Sequence, residues 1–274
     1  MPPTTPFTER HVTVDGVRLR YVDEGPHGDT AAEPLLVIPG HTARIEGFDA
    51  MVPILAGRRR VIVVDLPGSG WSDHPVRRYD LRWYEDVLVG LLDALGIERA
   101  VPVGGSLGGN LVLRLGHRFP ERFPRLVVWA PGSAWPARPL VARVTRLLGR
   151  RAFWPVVRIQ SRYWYSPDWP GREAALAETF AYYREIMSPG FVAMYWGIAA
   201  DQVGSSLFDV AAGIRQPTLL LWGDQDHGAG MGKGVARLAA TLPDVRFVSF
   251  PGARHSLEAE IPDLLARTIV SWLD

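Results

Sequence analysis

The sequence predicts an α/β protein built on a mostly parallel, doubly wound sheet with a helical insertion. Short apolar runs rich in β-branched residues alternate with segments of helical periodicity along most of the chain. Such runs are typical of strands that are covered on both faces and joined by right-handed crossovers. The alternation is interrupted once, over residues 132–212. At 274 residues, the chain is long enough for one domain of this kind with an insertion.

The opening of the chain predicts a β-hairpin. Two alternating segments, 11–14 and 17–22, flank Asp15-Gly16, which is a strong two-residue turn signal. The other predicted elements are strands at 35–38, 61–64, 100–103, 126–130, 218–222 and 245–250, and helices at 80–95, 108–118 and 261–273. Gly96 stops the first of these helices, and Pro262 lies in the first turn of the last.

The interruption divides the chain into two parts. Residues 132–212 have helical patches, no clear strand and many tryptophans and tyrosines. We therefore expect a core domain formed by residues 1–131 and 213–274, with a helical insertion at 132–212 lying over the sheet. Most of the aromatic side chains are expected to pack the insertion against the core, and some to line an apolar cavity.

Composition excludes several classes of function. The chain has no cysteine, which excludes a thiol nucleophile, a disulfide framework and a cysteine zinc site. A net charge of +1 gives no electrostatic case for a nucleic-acid or membrane-surface partner. No segment is long and apolar enough for a membrane span, and the first residues do not resemble a signal peptide, so we expect a cytoplasmic protein. No residue cluster resembles a metal site, and we expect no cofactor.

A candidate nucleophile lies between a predicted strand and a predicted helix. Gly104-Gly105-Ser106-Leu107-Gly108 fits the pattern G-x-S-x-G. In this pattern the serine occupies a strained turn that pushes its hydroxyl out above the sheet, and the glycines leave room for the bend. We therefore expect Ser106 to act as a nucleophile, which requires a neighbouring base.

The predicted base and its orienting acid follow the last two strands. His255 lies in the loop after strand 245–250, at the same edge of the sheet as Ser106. A base of this kind needs a carboxylate on its other ring nitrogen. Asp224 and Asp226 both follow strand 218–222, and Asp226 is preferred because it lies further into the loop, whereas Asp224 is placed to cap the turn.

Acyl transfer also needs hydrogen-bond donors for the developing oxyanion. The backbone N–H of Leu107, beside Ser106 at a helix N-terminus, is one candidate. The second should come from the loop after strand 35–38. Pro39 has no N–H, so we expect His41 to supply the donor, with Thr42 as the less favoured alternative.

Together these positions resemble the α/β-hydrolase superfamily. The similarity is to the branch of small capped enzymes that includes carboxylesterases, ring-cleavage-product (carbon–carbon bond) hydrolases and cofactor-free haloperoxidases. Residues 65–72 match the D-x-x-G-x-G-x-S turn of the family, and Glu260-Ile-Pro262 matches the pattern that opens its last helix. The resemblance implies the α/β-hydrolase fold, the order Ser106, Asp226, His255 for the catalytic residues, and a cap formed by the insertion.

Three positions depart from the family pattern. Pro39-Gly40 stands where His-Gly is usual, Gly105 stands where a larger residue is common, and Arg254 stands where glycine usually precedes the histidine. Arg254, with Arg158 and Arg162 of the insertion, could meet a substrate carboxylate, although exposure to solvent is expected for each. These departures concern the substrate class and not the hydrolytic residues.

The sequence favours hydrolysis of a small-molecule substrate through an acyl-enzyme. A small or medium apolar carboxylic ester is the expected substrate, and a carbon–carbon bond or a lactone is the alternative for the same three residues. A ligand receptor with weak turnover is an alternative of another class. Resembling dehalogenases and epoxide hydrolases attack with aspartate, and Ser106 excludes that reading. The oligomeric state stays open.

Overall fold

The computed structural model of the chain describes residues 5–27, 32–227 and 231–274. Its strands form one eight-stranded sheet in the order β1-β2-β4-β3-β5-β6-β7-β8. The strands are β1 (Arg10–Val14), β2 (Val17–Glu24), β3 (Leu35–Ile38), β4 (Val61–Val64), β5 (Val101–Gly105), β6 (Leu126–Trp129), β7 (Thr218–Gly223) and β8 (Val245–Phe250).

Helices follow or connect these strands. The helices are α1 (Val52–Ala56), α2 (Leu81–Ala94), α3 (Leu107–Arg118), α4 (Pro139–Arg146), α5 (Arg150–Gln160), α6 (Arg172–Ile186), α7 (Pro189–Gly204), α8 (Leu207–Ala212), α9 (Met231–Thr241), α10 (Leu257–Glu260) and α11 (Pro262–Leu273). Two short 3₁₀ segments, Ile45–Phe48 and Ser161–Tyr163, complete the order.

The predicted fold class is confirmed. Strands β3 to β8 pair in parallel, while β2 pairs antiparallel with both β1 and β4. The hairpin turn has positive φ at both central residues, 50° at Asp15 and 73° at Gly16, which is the signature of a type I′ turn. The twist of that turn matches the twist of the flanking strands, so the short-range signal in the sequence decides the structure there.

Burial explains why the sequences of the central strands are continuous apolar runs. Every residue of β3 to β7 is buried, whereas the edge strands β1 and β8 are largely exposed or half-buried. Helices α2, α3, α8 and α9 contact one another in a row, and α1 contacts α11. Parallel strands covered in this way present their carboxyl ends at one edge of the sheet, where the predicted site residues follow β3, β5, β7 and β8.

Some elements differ from their predicted bounds. Strand β5 extends through Gly105, two residues beyond its predicted end, because the buried sheet accommodates glycines that have low intrinsic strand preference. Helix α9 was not predicted, since its first turn contains two glycines and gives a weak helical signal. Helix α1 was also missed, and its five residues are too few for a periodic pattern.

The segment between β6 and β7 is helical throughout its ordered elements, α4 to α8. Within it, the ring of Phe153 contacts the rings of Tyr183, Phe191 and Tyr195 at centroid distances of 5.4, 5.4 and 4.8 Å. Helix α8 packs against α3 and α9, which flank the sheet. The boundary at residue 212 stays a prediction, and the contacts of α8 favour a cap that ends with α7.

Gly108 tests how closely α3 approaches the sheet. A Cβ atom there would lie 2.0 Å from the Ile38 carbonyl oxygen. We expect Gly108→Ala to lower the free energy of unfolding by about 3 kcal/mol, because overpacking forces the backbone to shift, even though alanine is the better helix former. Urea unfolding followed by circular dichroism measures the change.

Gly57→Ala is the matched control for this substitution. Gly57 is exposed, has a φ of −63°, and a Cβ there meets no atom closer than 3.6 Å. Equal unfolding midpoints for the two alanine variants would contradict the close approach of α3 to β3.

Candidate active site

Ser106 occupies a strained turn between β5 and α3. Its φ of 54° and ψ of −116° lie outside the regions that non-glycine residues favour. The turn is held by hydrogen bonds on both sides. The Ser106 N–H donates to the Trp129 carbonyl at 3.1 Å, and the Ser106 carbonyl accepts from Asn110 and Gly132 at 3.0 and 2.8 Å. Strain that the surroundings maintain in this way is typical of functional positions.

The glycines of the motif are required by their neighbours. A Cβ at Gly104 would lie 2.7 Å from the Gly108 carbonyl carbon, and one at Gly105 would lie 2.0 Å from Trp129 Nε1. The Trp129 indole therefore fills the space that a larger residue before the serine would need. This contact gives a physical reason for one of the departures from the family pattern.

His255, which is half-buried, pairs with the buried Asp226 at the carboxyl edge of the sheet. His255 Nδ1 lies 2.8 Å from Asp226 Oδ2, and Asp226 is 2% exposed. The two loops that carry them are pressed together, because a Cβ at Gly223 would lie 2.3 Å from the Arg254 carbonyl oxygen. This proximity follows from the pairing of β7 with β8.

The competing carboxylate, Asp224, has a different partner. Its Oδ1 accepts the backbone N–H of Gly252 at 2.8 Å and the side-chain amide of Gln225 at 3.1 Å. It therefore joins the turns after β7 and β8 and makes no hydrogen bond to His255. Of the two predicted candidates, Asp226 is the one in contact with the imidazole.

Electrostatics favour the charged form of the His255 imidazole. Burial lowers the pKa of His255, but the Asp226 carboxylate opposes this by its charge and its hydrogen bond, and Glu258 and Glu260 add further negative charge nearby. The net effect raises the pKa of His255 above its ordinary value. Asp226 accordingly fixes the proton on Nδ1 and leaves Nε2 as the nitrogen that can accept a proton.

The loop after β3 lies against the predicted nucleophile. A Cβ at Gly40 would lie 3.5 Å from Ser106 Cβ. Among the described residues, the backbone N–H groups of His41 and Leu107 donate no hydrogen bond, so both are available to an oxyanion. Thr42 has a φ of 67°, and its hydroxyl lies 2.6 Å from the Tyr183 hydroxyl of the insertion.

The roles predicted for these groups stay predictions. In the described part of the chain, Ser106 Oγ and His255 Nε2 form no hydrogen bond with each other. Such bonds are often long in the free enzyme and tighten only with substrate. The geometry places Gly40 against Ser106 and Asp226 against His255, and both arrangements are compatible with the predicted chemistry.

The His41 imidazole is unlike that of His255. It stacks on the Tyr195 ring at a centroid distance of 4.8 Å, and its buried Nε2 has no hydrogen-bond partner among the described residues. Burial lowers the pKa of His41 to about 4, against the opposing effect of the Tyr195 backbone. Without a carboxylate partner, this imidazole stays neutral and packs the loop under the insertion.

The D-x-x-G-x-G-x-S turn anchors the segment that follows this loop. The buried Asp65 carboxylate accepts the backbone N–H groups of Ile45 and Trp71 at 2.9 and 2.8 Å, and Arg20 Nη1 donates to it at 3.0 Å. A Cβ at Gly70 would lie 2.1 Å from the Asp65 side chain, and Gly70 also has a φ of 56°. The Asp65 side chain of this motif therefore holds the backbone of the segment that follows His41 in place.

Two residues near the site were missed by sequence reasoning. Trp129, the last residue of β6, donates its indole N–H to Glu258 Oε2 at 2.8 Å. Burial raises the pKa of Glu258, while the Trp129 hydrogen bond and the charge of His255 lower it. Nothing in the sequence joins two residues so far apart. The one sequence feature that could have indicated Glu258 is its position three residues after His255, about one helical turn away.

The three arginines proposed to meet a substrate carboxylate are arranged differently. Arg254 Nη1 donates to the Arg162 carbonyl at 2.9 Å, and the Arg254 N–H donates to Glu260 Oε1. Glu260 also accepts the backbone N–H of Ser166 at 3.1 Å. Arg254 therefore ties the histidine loop to the insertion, while the side chains of Arg158 and Arg162 are exposed.

Two negative findings apply to the residues that the structure describes. The described residues include no group of three or more histidine, aspartate or glutamate side chains that could hold a metal ion. None of the helices formed by these residues combines the length and the apolar character needed to cross a membrane.

The charge of Glu258 should be measurable at His255. We expect Glu258→Gln to lower the pKa of His255, because it removes one negative charge near the imidazole and keeps an oxygen acceptor for Trp129. The pH dependence of the His255 ring-proton chemical shifts measures the change. The groups that remain around the variant side chain, Asp226, Glu260 and Tyr165, are unaltered.

Asp263→Asn is the control, since it removes one carboxylate from an exposed position in the first turn of α11. This substitution should leave the pKa of His255 unchanged. A Glu258→Gln protein whose His255 titrates as in the wild type would show that this carboxylate has no part in the electrostatics of the pair.

Comparison with known proteins identifies the family. A family model described as alpha/beta hydrolase fold matches residues 33–258. A 2-hydroxymuconate semialdehyde hydrolase of Pseudomonas sp. (strain CF600) is 36% identical over 168 residues, which cover 56% of this chain and 57% of that protein. A 2-hydroxymuconate semialdehyde hydrolase of Pseudomonas putida is 27% identical over 99% of this chain and 96% of its own length.

A solved structure supports the same assignment. The crystal structure of the enol-lactonase from Burkholderia xenovorans LB400 superposes with a TM-score of 0.80, at 25% identity, over 96% of this chain and 99% of that chain. The family model covers most of the sequence, including the elbow at Ser106, Asp226 and His255. The chain therefore belongs to the α/β-hydrolase fold family.

Proposed function

We propose that the chain is a serine hydrolase that cleaves a small or medium apolar carboxylic ester through an acyl-enzyme intermediate. The observation that carries this proposal is the pairing of His255 with buried Asp226 at the sheet edge where the strained Ser106 turn meets Gly40. A nucleophile, a base with its orienting acid, and free backbone donors are the parts that acyl transfer requires.

In the proposed mechanism, Ser106 Oγ attacks the acyl carbonyl carbon while His255 Nε2 accepts the hydroxyl proton. The backbone N–H groups of His41 and Leu107 stabilise the oxyanion that forms. His255 then returns the proton to the departing alcohol. Water, activated by the same imidazole, hydrolyses the acyl-enzyme, releases the acid and restores the serine.

The protonation state of His255 sets the pH range of this reaction. The neutral imidazole is the active base, and the net effect of the surrounding groups raises the pKa of His255 above its ordinary value. Activity is therefore lost as the pH falls through this raised pKa. The working range lies on the alkaline side of the raised value.

The surroundings of the site favour an apolar acyl group. Tyr195 stacks on the His41 ring beside the proposed oxyanion donors, and Phe153 packs on both Tyr195 and Tyr183. Arg254, which directly precedes His255 in the chain, is already bonded to backbone carbonyls of the insertion. These contacts support a neutral, apolar substrate more than an anionic one.

Hydrolysis of a carbon–carbon bond or of a lactone is the second candidate, and the relatives support it about equally. Two of them are named 2-hydroxymuconate semialdehyde hydrolase, and the structural neighbour at 25% identity is an enol-lactonase. The same three residues serve each reaction. The three reactions differ in the leaving group. It is a free alcohol for an ester, a tethered alcohol for a lactone, and a carbanion that the substrate must stabilise for a carbon–carbon bond.

A substrate series distinguishes these reactions. We expect kcat/KM to be highest for p-nitrophenyl esters of short to medium chain length, lower for a γ-lactone, and lowest for 2-hydroxymuconate semialdehyde. The Ser106→Ala variant should be inactive toward all three while keeping the thermal unfolding temperature of the wild type, because only the attacking oxygen is lost.

Each alternative outcome has a definite meaning. A higher kcat/KM with the semialdehyde or with the lactone would replace the ester proposal by the corresponding second candidate. Absence of sustained turnover with every substrate, together with tight ligand binding, would favour a receptor. Ester turnover by Ser106→Ala at the wild-type rate would contradict the assignment of the nucleophile.

The acid assignment gives a separate prediction. We expect Asp226→Asn to lower kcat by up to about 10⁴-fold, because an amide can hold the imidazole in the wrong tautomer. Asp224→Asn is the matched control and should change kcat little, since Asp224 bonds the Gly252 backbone and not the imidazole. A larger loss of kcat in Asp224→Asn than in Asp226→Asn would reverse the assignment.

A further inference from the structure

Helix α4 presents an apolar stripe to solvent. Leu140, Val144 and Leu147 are 76%, 62% and 82% exposed, and Val141 is 51% exposed. The spacing of Leu140 and Val144 places them on one side of the helix, and Leu147, the residue that caps its C-terminus, continues the stripe. In a helix on the surface of a globular protein such a stripe normally faces the core, so α4 has the opposite orientation. An exposed apolar stripe of this kind usually marks an interaction surface.

The other side of α4 is the side in contact with the protein. Ala142, Arg143 and Arg146 line a groove between the two helices, and Leu147, which directly follows α4 and is largely exposed, also borders this groove. A Cβ at Gly204 of α7 would lie 3.0 Å from Ala142 Cβ, and Arg146 Nη2 donates to Asp201 at 3.2 Å. These contacts fix the orientation of α4 and hold its apolar stripe outward.

The sequence around α4 is strongly basic. Between Glu121 and Asp168 the chain contains no aspartate or glutamate. From the residue that precedes α4 to the end of the following 3₁₀ segment, the arginines are Arg138, Arg143, Arg146, Arg150, Arg151, Arg158 and Arg162. All of them except Arg146 are exposed, and within the described part of the chain only Arg146 of this set forms an ion pair.

We propose that the apolar stripe of α4 and the exposed arginines of the same segment, of which Arg150 and Arg151 follow Leu147 within four residues, dock the insertion onto an anionic lipid surface. An interfacial helix of this type buries leucine and valine at the boundary between headgroups and acyl chains, while its arginines bind the phosphates. The net charge of +1 does not reveal this local excess of positive charge, because acidic residues in the rest of the chain balance the arginines. The expectation of no membrane-surface partner rested on that net charge.

Charge also decides between a lipid surface and a second copy of the chain. Two copies meeting through α4 would bring two arginine-rich segments together with no acidic residue in either segment to compensate. Like charges facing one another oppose such an interface, whereas anionic headgroups neutralise them. This docking does not depend on Ser106 and is independent of the substrate proposed above.

Sedimentation of the full chain with phospholipid vesicles tests the proposal. The wild type should bind vesicles of equimolar phosphatidylcholine and phosphatidylserine, and bind vesicles of phosphatidylcholine alone far more weakly. The Leu140→Asp/Leu147→Asp variant should lose at least about tenfold of its partition coefficient. Val76→Asp is the matched control, since Val76 is 74% exposed and lies outside the segment.

The arginines are tested by a second variant. Arg150→Gln/Arg151→Gln should lower partitioning on the mixed vesicles by about fivefold for each arginine removed. Raised ionic strength should reduce binding of the wild type in the same direction. Unfolding temperatures and ester turnover, measured in the absence of vesicles, should match the wild type in both variants, because the altered side chains are exposed.

Three results would overturn the proposal. The first is a wild type that sediments with neither kind of vesicle. The second is equal binding by the wild type and the Leu140→Asp/Leu147→Asp variant. The third is a wild-type dimer in sedimentation velocity that the leucine variant converts to monomer while vesicle binding is absent, which would assign the stripe to a second copy of the chain.

Discussion

The close approach of α3 to β3 is the constraint on which the rest of the site depends. No side chain fits at Gly108 against the Ile38 carbonyl, and this contact fixes the start of α3 directly above the sheet. The chain enters α3 from β5 through Ser106, whose φ of 54° and ψ of −116° are strained for a non-glycine residue. Packing in the core thus offsets the strain at the turn and brings Ser106 against Gly40.

Carboxylates around the histidine loop have separate tasks. Asp226 is the partner of the imidazole, while Glu258 binds the indole of Trp129 at the end of β6. Glu260 bonds Ser166 and Arg254 and so joins the histidine loop to the insertion. The loop is therefore fixed by the sheet and by the insertion together, and each carboxylate adds to the field that favours the imidazolium.

Local patterns predicted the fold well because each depends on a short stretch of chain. The Asp15-Gly16 turn, the buried runs and the G-x-S-x-G turn all follow from neighbouring residues. Contacts between distant residues were not predictable, and these include Trp129 with Glu258 and the bonds of Arg254 to the insertion. Periodicity marks the apolar stripe of α4, but packing against α7 alone decides that the stripe faces outward.

The central claim is that the strained turn delivers Ser106 as a nucleophile to the His255–Asp226 pair. Labelling with a fluorophosphonate, followed by mass spectrometry of the peptides, tests it most directly. The account predicts one label per folded chain, on Ser106, with a labelling rate that falls as the pH drops through the His255 pKa and that is strongly reduced in His255→Ala. A folded wild type that is labelled at another residue, or at Ser106 with a rate unaffected by His255→Ala, would contradict the account.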